Sequence, residues 1–163
     1  MIVVANAGPL IALAQIDRLD LLRALYGTVH IPLAVRDEVI VAGHGRSGST
    51  QAADADWIKI VDVQDVTAVE LLAERLDLGE SEAIVLALEL SADLLLIDEA
   101  RGRRIAEARG IAKTGTIGTV ILAKQRGSLL SVSAELDKLQ VAGFRMGRDL
   151  YEAALALAGK VRG

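Results

Sequence analysis

Leu94-Leu95-Leu96-Ile97-Asp98-Glu99 carries the decisive signal for the fold. Four consecutive aliphatic residues in a strand send side chains to both faces of a sheet, so both faces must be covered, as in the interior of a parallel sheet. The run then stops at two acids. Working outward, Glu80 to Leu90 places Ile84, Ala87 and Leu88 on one helical face after Gly79, and a helix over 100–109 closed by Gly110 follows the run. An extended piece over 111–114 and a helix from about Gly118 to Gln125 come next. Toward the N-terminus, Ile58 to Val63 alternates like a half-buried strand, and 66–76 is an amphipathic helix. Thr28 to Ile31 is a short strand, and Pro32 opens a helix that carries Val35, Val39 and Ile40. Ile2 to Val4 is a β-branched strand, and Leu10, Ile11, Leu13, Ala14 and Ile16 take up helical spacing after it. Asp17 or Asp20 caps a further helix that Gly27 ends, and 132–140 and 149–158 read as two last helices. Strands alternating with helices predict an α/β fold, a mostly parallel central β-sheet flanked by helices on both faces, in a single domain over 1–163.

Composition limits the function classes. The chain has 163 residues, a formal charge of −4 and no cysteine, which excludes disulfides, thiolate zinc sites and thiol nucleophiles. A 52% hydrophobic share supplies a core, yet no run of about 18 uncharged apolar residues exists to span a membrane. The start, Met1-Ile2-Val3-Val4, lacks the basic region of a signal peptide, so the expected location is the cytoplasm. Aromatic residues are 2% of the chain, too few for a nucleic-acid surface built on repeated base stacking. The acidic balance means that any nucleic-acid contact must be local.

In open α/β sheets, ligands gather beyond the carboxyl ends of the strands. Strand one ends at Ala5-Asn6 and the Leu94 strand at Asp98-Glu99, while the preceding helix carries Glu80 and Glu82 in its first turn. That helix runs back against the strand, so Glu80 and Asp98 reach the same edge. Carboxylates gathered without basic partners are tolerated when Mg²⁺ or Mn²⁺ neutralises them; otherwise they are helix caps and solvated acids.

Val3-Val4-Ala5-Asn6-Ala7-Gly8-Pro9-Leu10, Ile31-Pro32-x-x-Val35-x-x-Glu38-Val39, Gly79-Glu80-Ser81-Glu82-Ala83-Ile84 and Leu94 to Asp98 stand in order with compatible spacings. Together with Lys113-Thr114-Gly115-Thr116 they resemble the PIN-domain family, and more narrowly its prokaryotic branch of toxin nucleases from toxin–antitoxin pairs. The resemblance implies a ribonuclease dependent on Mg²⁺ or Mn²⁺, acting on single-stranded or structured RNA, with an acidic pocket that maps onto Asn6, Glu38, Glu80 and Asp98. It also implies a homodimer and an antitoxin partner. Glu80 and Asp98 would be metal ligands, Glu38 a base or water holder, and Asn6 a weak ligand. Asn6 departs from the family pattern, which has an aspartate there, so metal affinity and activity should fall. A catalytically silent PIN-like binding module is therefore the rival reading.

Arg101, Arg103, Arg104, Arg109 and Lys113 follow Asp98 closely. Arg101 and Arg104 are candidates for RNA phosphates, against a solvated face neutralised by Glu99 and Glu107. Thr114 and Thr116 would orient an acid or a phosphate, or cap the next helix. Glu82 and Glu99 are spare acids beside the match, each able to reach the pocket, with solvent or basic neighbours the expected surroundings. Gly43 to Thr50 approaches a Walker phosphate loop, but Ser49 replaces its lysine and no strand precedes it, so the stretch reads as a surface loop. His30 and His44 are too few for a multi-histidine metal site.

Overall fold

Val3, Val4 and Ala5 form strand β1 of the computed structural model, which describes residues 1–42 and 55–159, and all three are fully buried. Strands β2 (Val29–Ile31), β3 (Ile58–Ile60), β4 (Leu94–Leu96) and β5 (Lys113–Thr114) complete a parallel sheet in the order β3-β2-β1-β4-β5. The chain winds outward from β1 to β3, then returns to the other side of β1 for β4 and β5. Right-handed crossovers in opposite directions set helices on opposite faces, and the reversal between β1 and β4 leaves a crevice at their carboxyl ends.

The helices are α1 (Ala7–Gln15), α2 (Asp20–Tyr26), α3 (Leu33–Ala42), α4 (Val66–Leu72), α5 (Leu78–Glu89), α6 (Ala100–Ala108), α7 (Thr116–Gln125), α8 (Val132–Val141) and α9 (Arg148–Ala158). Asp65, Asp77 and Ser131 cap α4, α5 and α8 by accepting from Ala68, Glu80 and Ala134 N–H groups. Helix α2 stops at Gly27, whose φ of 74° suits a residue without a side chain. Arg18 reaches the buried Glu135 carboxylate at 2.9 Å and ties the turn after α1 to α8. Among the described residues, no helix is long and apolar enough to cross a membrane.

Several boundaries differ from expectation, among them the end of α4 at Leu72 instead of 76 and the start of α5 at Leu78 behind the Asp77 cap. Strand β3 spans three residues instead of six because its partner β2 ends at Ile31, and Pro32 then leads into α3. The last contact of that ladder is Val61 N–H to Ile31 C=O at 2.9 Å. Helix α7 begins at Thr116, two residues earlier than the spacing indicated, because Asp98 receives its first N–H. The glycine-rich stretch 43–50, with His44 inside it, lies outside the described residues.

Leu96 has no exposed surface and sits where β1, β4 and β5 run together. Leu96→Ala should therefore cost about 3 kcal/mol of unfolding free energy. The measurement is the urea midpoint at unchanged slope; a loss well under ~1 kcal/mol would show that this end of the sheet is not core.

Candidate active site

Ala5 pairs with Leu96 and Leu96 with Thr114, so Asn6, Ile97-Asp98 and Gly115-Thr116 leave the sheet side by side. The backbone closes this edge, with Asn6 N–H on Leu96 C=O and Ile97 N–H on Thr114 C=O, both at 2.8 Å. Asparagine is a strong helix cap. Asn6 occupies the N-cap position of α1, yet its side chain makes no capping bond. It is 5% exposed, and its Oδ1 has no hydrogen-bond partner. A Cβ on Gly79 would stand 3.6 Å from that oxygen and would collide with Glu38 Oε1. The missing side chain at 79 thus leaves the space that the Glu38 carboxylate and the Asn6 amide share.

Glu80 sits in the first turn of α5 behind its cap, Asp77. Its side chain is 7% exposed, and Oε2 has no hydrogen-bond partner. That oxygen rests against α6, where a Cβ on Gly102 would come within 2.8 Å of it. Burial is the main force raising the Glu80 pKa to about 7, followed by the hydrogen bond with the Asp77 side chain and the charges of Asp77, Glu99 and Glu38. Glu38 is raised too, by burial first and then by the Asp77 charge. The structure therefore gathers Asn6, Glu38 and Glu80 with Asp77 and Glu99.

Asp98 has a different environment. Its Oδ1 accepts the Thr116 N–H at 2.7 Å and its Oδ2 the Thr116 hydroxyl at 2.6 Å. The carboxylate thereby caps α7, whose own N-cap residue, Gly115, has no side chain to do so. A Cβ on Gly115 would strike Asp98 Oδ1 and lie 3.2 Å from Arg103 Nη1, and one on Gly8 would be 3.4 Å from Asp98 Oδ2. Asp98 thus sits between the start of α1 and the start of α7, with the Arg103 guanidinium alongside. Thr116 is fully buried and holds an acid, so it does not face a substrate. Thr114 is half-buried at the end of β5. Arg101 and Arg104 lie on another side of α6 from Arg103, lining a cavity together with Arg75.

Sequence reasoning missed Asp77, although Asp77-Leu78-Gly79-Glu80 has the spacing of a helix start with an acid at its third position. Glu99 is exposed, and of the two spare acids it is the one whose charge bears on Glu80. Glu82 turns away from the cluster and accepts the Ala34 N–H at 3.1 Å, which caps α3. His30 is an ordinary strand histidine, with Nδ1 3.1 Å from Val3 C=O.

Among the described residues, no three acidic or histidine side chains form a ready-made metal-binding group. The donors at this edge are nevertheless oxygens of the kind a hard divalent cation takes. Two are buried oxygens without a hydrogen bond, and the neighbouring carboxylates repel one another in a way a cation relieves.

A family model described as a PIN domain matches residues 2–160. No curated protein matches the chain.

The raised Glu80 pKa has a signed consequence. Between pH 4.5, its ordinary value, and about 7, the folded chain holds a proton that the unfolded chain has lost, so stability falls as pH rises through that window. Discounted for solvent screening, the loss is about 1–2 kcal/mol. Glu80→Gln should flatten this slope and be the more stable protein at pH 8 in chelator. Parallel pH–stability curves for the two proteins would contradict the assignment.

Proposed function

Because the chain belongs to the PIN-domain family, we propose that it is a divalent-metal-dependent ribonuclease whose centre is the cluster around Glu80. The observation that carries the reading is the pair of buried, unbonded oxygens, Asn6 Oδ1 and Glu80 Oε2, beside further carboxylates. Glu80, Glu38 and Asn6 would hold Mg²⁺ or Mn²⁺ from one side. Asp98 would hold it from the other, since each of its oxygens keeps a lone pair after bonding Thr116. When bound, the ion would offset the charge that develops on the scissile phosphate.

The protein's own groups do the rest. Glu38 would accept the proton of the attacking water as the new P–O bond forms, and the leaving oxygen takes a proton from solvent as the old P–O bond breaks. Thr116 fixes the Asp98 carboxylate. Arg103, beside Asp98, holds a phosphate that flanks the scissile bond. Arg101 and Arg104, the two sequence candidates, line the cavity on another side of α6 and are assigned to the groove described below. A homodimer, a toxin role and an antitoxin partner belong to the same proposal; the dimer draws on the 52% hydrophobic share of a small chain as well as the family resemblance, and the other two on the resemblance alone.

Asn6 is the residue to vary. Asn6→Asp adds an anion beside Glu38 and should tighten Mn²⁺ binding roughly tenfold, with RNA cleavage rising alongside. Calorimetry with Mn²⁺ and cleavage of single-stranded RNA, with chelator as control, measure the two effects. Glu80→Gln should abolish both. Wild type and Asn6→Asp both folded, metal-free and inert would replace the nuclease by the silent binding module, for which the uncharged Asn6 is the supporting feature.

A further inference from the structure

Helices α4, α5 and α6 enclose an open groove of about 510 Å³ with an aliphatic floor that includes Leu72, Val85 and Ile105. Leu71 and Leu88 stand on its walls, 63% and 40% exposed. Exposed leucines around one concave surface mark an interaction site more than isolated surface residues do. The groove runs into a second cavity of about 400 Å³ through the shared Arg75, Ile105 and Ala108. Their combined rim carries Arg75, Arg101, Arg104 and Arg109 against one carboxylate, Glu74. Among the described residues, the ion pairs engage Arg18, Arg36, Lys113, Lys138 and Arg148, and none of these four arginines. Arg101 donates to the carbonyl of Arg75 at 3.1 Å, which ties the segment after α4 to the start of α6.

The rim selects among occupants. A second copy docked here about a two-fold axis would set the same positive rim against itself, which opposes association. RNA would neutralise the arginines, but neither cavity is lined by Tyr26, Phe144, Tyr151 or Trp57, so bases have no aromatic platform and the leucines stay wet. An amphipathic helix satisfies both features, with an apolar stripe on Leu71, Leu88 and Ile105 and acids against the guanidiniums. We propose that the groove between α4, α5 and α6 is the docking site for a partner protein's amphipathic helix whose apolar stripe is flanked by Asp and Glu. This inference does not depend on the nuclease reading.

The test uses the full chain in chelator, where no cleavage interferes. The probes are a fluorescein-labelled helical peptide of about 18 residues, five turns, with a leucine stripe flanked by Glu, its counterpart flanked by Lys, and a short oligouridylate. Fluorescence anisotropy should give the Glu peptide an affinity at least about tenfold above the Lys peptide, weakening with salt. Arg75→Glu combined with Arg104→Glu should reverse that preference. Leu71→Ser, at an exposed position that leaves the fold intact by circular dichroism, should weaken the Glu peptide about tenfold. Equal binding of the two peptides, or binding of neither, would overturn the proposal. So would oligouridylate binding that the arginine variant abolishes while the Glu peptide stays unbound, since the rim would then be an RNA surface.

Discussion

The Glu80 carboxylate sits almost out of water in the company of Asp77, Glu99 and Glu38, and the arrangement of the chain around the sheet edge follows from making that position tenable. An isolated buried charge is among the costliest features a fold can contain. Here the cost is contained by location. Glu80 lies in the first turn of α5, where the helix N-terminus favours negative charge, and Asp77 fixes that turn through the Glu80 N–H. Part of the remaining cost is avoided by protonation, which is the physical content of a pKa near 7. The aliphatic core behind the edge, with Ile84, Leu86, Leu95, Leu96 and Ile97 fully buried, supplies the stability that such a site consumes.

The oxygens at this edge divide into two kinds. Those of Asp98 each accept one bond from Thr116 and serve the architecture by starting α7. Those of Asn6 and Glu80 include one buried atom each with nothing to bond. A fold selected only for stability would satisfy these last, and Asn6 could do so by capping α1 in the ordinary way. Its side chain points elsewhere, so the unsatisfied atoms define the place where an added ligand gains most, while Asp98 keeps the geometry fixed whether or not a ligand is present.

How much of this was legible in the sequence depended on the range of the interaction. The apolar run at Leu94 to Ile97 and its stop at Asp98 located an inner strand and its carboxyl end, because strand burial on both faces is a local pattern. Glu80 was legible as a first-turn acid for the same reason. Bonds between distant positions were not. Asp98 meets Thr116 only because β4 and β5 pair in register, and Glu82 finds Ala34 across 48 positions of chain. No periodicity encodes either contact. The truncation of β3 was hidden likewise, since it depends on where its neighbour β2 ends. Glu99 shows the limit from another side: its exposure was read correctly, but the electrostatic reach of an exposed acid toward a buried one is a property of the folded arrangement.

Helix α6 shows how closely the site and the rest of the molecule are joined. Its nine residues serve three surfaces at once. Gly102 and Ala106 are buried toward the interior, with Gly102 against Glu80; Arg103 stands by Asp98; and Arg101, Arg104 and Ile105 line the outer cavity. A Cβ on Gly102 would come within 2.6 Å of Ile97 Cδ1 and 2.8 Å of Glu80 Oε2, so the helix has no slack toward the sheet. Close packing of this kind transmits displacement instead of absorbing it. The missing side chain at Gly102 therefore sets both the room left for the Glu80 carboxylate and the depth at which α6 sits on the sheet.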